Sequence, residues 1–263
     1  DMTSIVSDII VNTNTETGSK IIEELNNTES ESDLSLKIIS DISEKDTTKL
    51  NTLSENNKEQ IEKLTETAIK NADASKESAQ LIAKVVANAS DELVNKVVEE
   101  VSKSSTEEKQ TLSAQVLKAI VDTEPNKLEI ISDDLKDTII KQTIESAQNQ
   151  QEGKGTQVSE DMTSIVSDII VNTNTETGAK IIKELNNTES ESDLSLKIIS
   201  DISEKDTSKL ISLSENNKEQ IEKLTEIAIK NADTSDESTQ LIAKVVDKES
   251  NEIANKVISE LTR

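Results

Sequence analysis

The sequence contains no cysteine, histidine, phenylalanine, tyrosine or tryptophan. Without cysteine it has neither a disulfide nor a thiolate metal ligand, and without histidine it lacks the most common general base and a common zinc ligand. The usual nucleophile–base pairs of enzymes therefore cannot be assembled from these side chains. The composition predicts a protein that is not an enzyme, with no catalytic residue, no cofactor and no dedicated metal site.

Residues that break helices are also scarce. Glycine occurs four times, at positions 18, 153, 155 and 178, and the one proline is Pro125. A sheet protein of 263 residues would need many turn glycines and some aromatic packing, whereas this chain is rich in Leu, Ile, Val, Ala, Lys and Glu. The composition predicts an all-α fold.

Basic residues are also few in comparison with acidic residues. The chain has 53 acidic and 29 basic residues, for a net charge of −24. A surface of this sign repels nucleic acid and anionic lipid, and no apolar run approaches the length that spans a bilayer. We therefore expect no nucleic-acid partner and no membrane insertion. The 32% apolar content with this charge is also typical of disordered chains, so disorder is an alternative on composition alone.

A long internal repeat is the main positive feature. Residues 1–103 (the first copy) and 161–263 (the second copy) align without a gap and differ at 20 positions. The second copy begins at Asp161. We interpret 1–147 as a first helical repeat, 148–160 as a Gln- and Gly-containing linker, and 161–263 as a second, truncated repeat. Such a pattern, with one period extending from Asp1 to Glu160, is typical of a window from a longer tandem array.

Inside this period, pairs or near-pairs of apolar residues recur about every 16 residues, and lysine precedes several of these pairs. Clear examples are Ile21/Ile22, Ile38/Ile39 and Val97/Val98. Polar clusters that can cap helices separate them. We predict an elongated, solenoid-like stack of short amphipathic helices in units of about 16 residues, about ten per period. Helices of about 10–14 residues are marginal alone and must be held by neighbours. A long coiled coil is the alternative, but Asn57 would fall in its seam.

The differences between the two copies test which positions face inward. Aliphatic residues replace aliphatic residues at Leu93→Ile253 and Val98→Ile258, whereas Lys76→Asp236 reverses a charge. This pattern indicates that the aliphatic positions pack and the polar ones face water. Two polar positions become apolar, Asn51→Ile211 and Thr67→Ile227, and we predict that both lie at a partly buried edge.

Candidate binding residues come from polar runs that are unchanged between the copies, at 28–37 and 54–63. In the second run, Glu55 and Glu59 are candidates for binding a protein partner. The acidic segment Glu29–Asp33 allows loose association of Ca²⁺, although it lacks the spacing and central glycine of an EF-hand. The other expected partners are neighbouring repeats of the same protein or like chains.

These features favour a non-enzymatic structural role. The leading hypothesis is a spacer, stalk or filament segment of a large tandem-repeat protein on a prokaryotic cell surface, in adhesion or in a fibre, so that an extracellular location is favoured over the cytoplasm. One alternative is an α-solenoid binding module whose concave face holds a peptide or protein. A second alternative is an intracellular scaffold with the same architecture.

Overall fold

A computed structural model describes residues 2–27, 34–103, 106–151, 161–187, 194–232, 235–248 and 251–261. Across these ranges the chain forms sixteen α-helices and one short 3₁₀ helix, with no strand. The α-helices are α1 (Met2–Asn12), α2 (Thr15–Asn27), α3 (Leu34–Lys45), α4 (Thr47–Asn56), α5 (Lys58–Asn71), α6 (Lys76–Asn88), α7 (Asp91–Ser102), α8 (Glu107–Thr123), α9 (Asp133–Gln151), α10 (Met162–Asn172), α11 (Thr175–Asn187), α12 (Leu194–Lys205), α13 (Thr207–Asn216), α14 (Lys218–Asn231), α15 (Asp236–Lys248) and α16 (Asn251–Leu261). The 3₁₀ helix is Pro125–Glu129.

The predicted all-α stack of short helices is confirmed over these residues. Nine α-helices and the 3₁₀ helix lie between residues 2 and 151, close to the ten helices expected per period. Polar residues lie at several of the helix boundaries. The Asp46 side chain accepts a hydrogen bond from Lys49 N at 2.9 Å to start α4, and Asn57, with φ −137° and ψ 48°, separates α4 from α5. The residue that opposed a continuous coil is therefore a helix boundary.

The chain divides into two compact units, a first unit of residues 1–139 and a second unit of residues 140–263. In the first unit the helices pack in two series, α1–α3–α6–α8 and α2–α5–α7, which are joined by contacts such as α3 with α5. The second unit repeats the arrangement, with α10–α12–α15 in one series and α11–α14–α16 in the other. The elongated, solenoid-like geometry that the sequence suggested stays a prediction.

The core of each unit is aliphatic. Ile38, Val85 and Val97, from three of the recurring aliphatic pairs, are all buried. Removing such side chains from water supplies roughly 2 kcal/mol each, which short helices cannot obtain alone. Disorder, the alternative left open by composition, therefore does not describe these residues. Both positions predicted at a partly buried edge, Asn51/Ile211 and Thr67/Ile227, are half-buried in both copies, which confirms that prediction.

Contacts between successive pairs of helices join residues that are far apart in sequence. Asn26 Nδ2 donates to Gln60 O at 2.9 Å across 34 residues, and Lys45 Nζ donates to Ser4 Oγ at 3.1 Å across 41 residues. The short rhythm of the sequence is close to the spacing of successive helices along the chain. The two contacts above, however, join residues that are 34 and 41 positions apart, which is more than two units of about 16 residues.

The region predicted as a linker is partly helical. Helix α9 extends to Gln151, so that the first four residues of the segment 148–160 belong to it, and 152–160 lie outside the described residues. The division between the compact units falls at Ile139/Ile140, inside α9. The domain boundaries at 147/148 and 160/161 stay predictions. The proposed Ca²⁺ segment Glu29–Asp33 also lies outside the described residues.

Candidate partner-binding surface

The two glutamates singled out from the sequence lie on either side of the break between α4 and α5. Glu55 is in the last turn of α4 and Glu59 is in the first turn of α5, and both side chains are exposed. Asn57 produces this bend, and its N–H still bonds to Leu53 O at 2.8 Å. The glutamates are thus accessible to a partner, and their binding role stays a prediction.

In the second unit the corresponding bend forms one wall of an open groove of about 530 Å³. The groove lies between the bend from α13 to α14 and the N-terminal half of α11. Its lining residues are Thr175, Glu176, Ala179, Lys180 and Lys183 on one side, and Asn216, Asn217 and Gln220 on the other. The second wall belongs to residues 214–223, the unchanged copy of the polar run 54–63. Glu215 and Glu219, the counterparts of Glu55 and Glu59, are not among the lining residues.

An asparagine fixes the two walls of this groove relative to each other. Asn186 Nδ2, at the end of α11, donates to Gln220 O at 2.8 Å and to Gln220 Oε1 at 3.1 Å. The same link occurs in the first unit, where Asn26 Nδ2 donates to Gln60 O. The Asn186 amide thus links the C-terminal end of α11 to the first turn of α14.

The charge of the groove differs between the copies. Of the eight lining positions, two differ, Ser19→Ala179 and Glu23→Lys183. The charged residues at these positions are Glu16, Lys20 and Glu23 in the first copy, for a net charge of −1. In the second copy they are Glu176, Lys180 and Lys183, for a net charge of +1. A chain of charge −24 thus has a locally basic groove, which suits a partner that carries carboxylates.

The first copy has an exposed ion pair in this region. Lys20 Nζ lies 2.8 Å from Glu16 Oε1, and this hydrogen bond raises the pKa of Lys20 and lowers the pKa of Glu16. Both groups are fully exposed, so that the pair adds little to stability. Replacement of Glu23 by Lys183 adds a second cation to the corresponding wall. From the sequence, differences between the copies at polar positions indicate only that these positions face water. The groove shows that Ser19→Ala179 and Glu23→Lys183 lie at one place.

Several lysines have a structural role that the sequence did not reveal. Each donates hydrogen bonds to backbone carbonyls at the C-terminal end of a helix that lies earlier in the chain. Lys49 Nζ donates to Thr13 O just after α1, and Lys209 Nζ does the same to Thr173 O after α10. Lys127 Nζ donates to Ala89 O at 3.0 Å after α6. A cation near the last carbonyls of a helix satisfies orphan acceptors and complements the helix dipole.

Lys109 is the most extensively bonded of these lysines. Its Nζ donates to the carbonyl oxygens of Ile69 at 2.9 Å, Lys70 at 3.2 Å and Ala72 at 2.7 Å, at the end of α5. Burial lowers the pKa of Lys109, and burial also lowers the pKa of Lys209. These ammonium groups are thus fixed, partly dehydrated parts of the packing between layers.

An ion-pair cluster also recurs in both copies. Lys45 Nζ lies 2.9 Å from Asp8 and 2.9 Å from Asp41. In the second copy, Lys205 lies 2.8 Å from Asp168 and 2.7 Å from Asp201. Burial opposes the charge on Lys205, but the hydrogen bonds from the two carboxylates outweigh it, and the pKa of Lys205 is raised. Equivalent residues thus make equivalent contacts in the two copies.

Within the described ranges, no three carboxylates converge in a way that could hold a metal ion. None of the described helices is both long and apolar enough to cross a membrane. Compared with protein-family models, curated proteins and solved structures, the chain matches none of them.

Proposed function

We propose that this chain is a non-enzymatic structural repeat region, a spacer, stalk or filament segment of a large tandem-repeat protein. The observation that carries the proposal is the recurrence of the contacts between layers. The Lys45 cluster, the Lys49 bond to Thr13 O and the Asn26 bond to Gln60 O all recur at the equivalent positions of the second copy. The residues repeated in the sequence thus include those that hold one layer of helices to the next.

A repeat of this kind has a physical basis for growth in one direction. Each short helix is marginal alone, and each layer stabilises only the next, so that adding a repeat lengthens the stack at constant stability per layer. The net charge of −24 keeps neighbouring chains apart. These properties suit a stalk or fibre, and we propose a prokaryotic cell surface as its location.

Small-angle X-ray scattering of two chains tests the proposal. One chain is the present sequence, and the other has an additional complete period, a second copy of residues 1–160, inserted. A compact globule of this length has a radius of gyration of about 18 Å. We expect the present chain to exceed that value clearly and its maximum dimension to increase in proportion to the inserted length. A radius near the value for a compact globule, with cube-root growth on insertion, would contradict the proposal.

A second candidate function, a peptide- or protein-binding module, is favoured by the groove of the second unit. Its two lysines and its polar wall suit an acidic, extended or helical peptide. The variant Lys183→Glu should abolish capture of acidic peptides, measured by fluorescence anisotropy over a peptide panel. The matched control is Lys223→Glu, which makes the same charge change at a residue outside the groove lining. Equal capture by both variants removes this candidate.

The predicted role of Glu55 and Glu59 has its own test, because their side chains would contact a basic partner outside the groove. Charge reversal of both residues to lysine should abolish capture of a partner in a pull-down with the whole chain. The scaffold alternative differs only in location. Digestion of intact cells by an external protease distinguishes the two, since a surface stalk is cleaved and an intracellular scaffold is protected.

A further inference from the structure

The same eleven-residue sequence forms both α1 and α10, but its apolar face has opposite environments in the two helices. In α1, Met2 is 71% exposed, Ile5 52% and Ile9 45%. In α10, their counterparts Met162, Ile165 and Ile169 are 0%, 2% and 0% exposed. An exposed cluster of large aliphatic side chains on a helix commonly marks an interaction site. Here the second copy shows what the covered state of that site is like.

The neighbours of the two helices narrow the choice of occupant. Helix α1 packs on α2 and α3, and α10 packs on the equivalent helices α11 and α12. Helices α13 to α16 likewise have counterparts in α4 to α7. In the second unit, the one described segment with no counterpart beside α1 is 140–151, the C-terminal part of α9.

This segment has the properties of a helix that covers α10. Its aliphatic residues are on the inside, with Ile140, Ile144 and Ala147 all buried. It also contacts the start of α10 directly, because Met162 N donates to Gln150 Oε1 at 2.6 Å. That bond satisfies one of the N–H groups at the N-terminal end of α10 that have no acceptor within the helix.

We propose that the α1 face formed by Met2, Ile5 and Ile9 is a docking site for a second copy of the α9 helix. The occupant would place residues equivalent to Ile140, Ile144 and Ala147 on this face. This inference goes beyond the proposed function, because a binding module or scaffold built from the same repeat would carry the same face. It names the contact through which one period of the repeat joins the next.

The other exposed aliphatic cluster in the described ranges follows the same rule. Ile258 and Leu261 of α16 are 50% and 53% exposed, whereas their counterparts Val98 and Val101 in α7 are buried. Helix α7 is covered by α8, and Ser113 Oγ of α8 donates to Val101 O at 3.4 Å. In α7, as in α10, the face that is exposed in the other copy is therefore covered.

Amide hydrogen exchange on the whole chain tests the proposal, with α10 as the internal reference for a covered helix. We compare the present chain with a chain extended at its N-terminus by a second copy of residues 104–160. In the present chain we expect α1 amides to exchange at least about 100-fold faster than α10 amides. In the extended chain α1 should slow to the rate of α10.

Two controls make the result specific to the proposed contact. The first is the same extension with Ile140→Asp and Ile144→Asp in the added copy alone, which should leave α1 unprotected. The second is Ile5→Asp in both chains, which should leave the melting temperature of the present chain unchanged and abolish protection in the extended one. Unchanged exchange of α1 in the extended chain, or equal protection by the aspartate-bearing extension, would overturn the proposal. Neither outcome depends on the molecular dimensions that test the spacer function.

Discussion

Replacement of Lys109 by methionine tests whether lysines hold the layers of helices together. The substitution keeps an unbranched side chain of similar length, so that the packing of the aliphatic stem is retained. It removes the ammonium group that donates to Ile69 O, Lys70 O and Ala72 O. The last carbonyls of α5 then lose their cation and must find water.

The expected magnitude follows from two opposing contributions. A hydrogen bond from a charged donor contributes roughly 1.5–3 kcal/mol, and three acceptors share this one ammonium. Burial lowers the pKa of Lys109, which means that removing the ammonium from water offsets part of that gain. We expect Lys109→Met to destabilise this region by about 2 kcal/mol, which corresponds to about 30-fold faster opening.

Native-state hydrogen exchange is the suitable assay, because a chain with two compact units need not unfold in one step. Amides in the last turn of α5 should exchange about 30-fold faster in Lys109→Met, and amides in α12 of the second unit should not change. The matched control is Lys118→Met, because Lys118 is on α8, the helix that also carries Lys109. The Lys118 side chain pairs with Asp122 at 2.6 Å near the surface. That variant should lose no more than about 0.5 kcal/mol. Equal effects of the two substitutions would refute the structural role of Lys109.

Two further predictions concern stability. Gly18→Ala should stabilise the first unit by about 0.5–1 kcal/mol in urea unfolding, because the added methyl group meets its neighbours at 3.5 Å or more. Gly178→Ala should gain less, since its methyl group would lie 3.3 Å from a leucine methyl group, and the reverse order would contradict this reasoning. Burial raises the pKa of Glu100, but the bonds from Lys103 at 2.5 Å and Lys96 at 2.7 Å outweigh burial and leave the pKa below 4.5. A carboxyl group whose pKa is lower in the folded state stabilises the fold at pH values above its pKa in the unfolded state. This contribution is lost as the pH falls through the pKa of the folded state. Glu100→Gln should therefore lower the free energy of unfolding by about 1–2 kcal/mol at pH 7. In urea titrations the difference in stability between this variant and the parent chain should shrink below pH 4.5. A difference in stability that does not depend on pH would contradict the stabilising role of the Glu100 carboxylate.

Local features of the sequence predicted the secondary structure well. Asn57, whose place in the seam argued against a long coiled coil, lies at a helix boundary, and Ile38 is buried as its place in an aliphatic pair implies. These properties depend on residues within one or two turns, where spacing and capping act directly. The candidate surface was found only in part. The polar run 54–63 was predicted to hold binding residues, and its copy 214–223 supplies one wall of the groove. The other wall comes from α11, which lies two helices earlier in the chain than α13.

The sequence by itself determined that this chain is helical, that its helices are short and which side of each helix is apolar. Breaker content, caps and aliphatic spacing are encoded locally, and the two copies record them twice. Only the tertiary structure decided which helices become neighbours, which lysines close helix ends and which apolar faces are covered. Helices α1 and α10 show the reason, since the same residues are exposed in one and buried in the other. Burial depends on what packs against a side chain, and residues distant in sequence supply that neighbour.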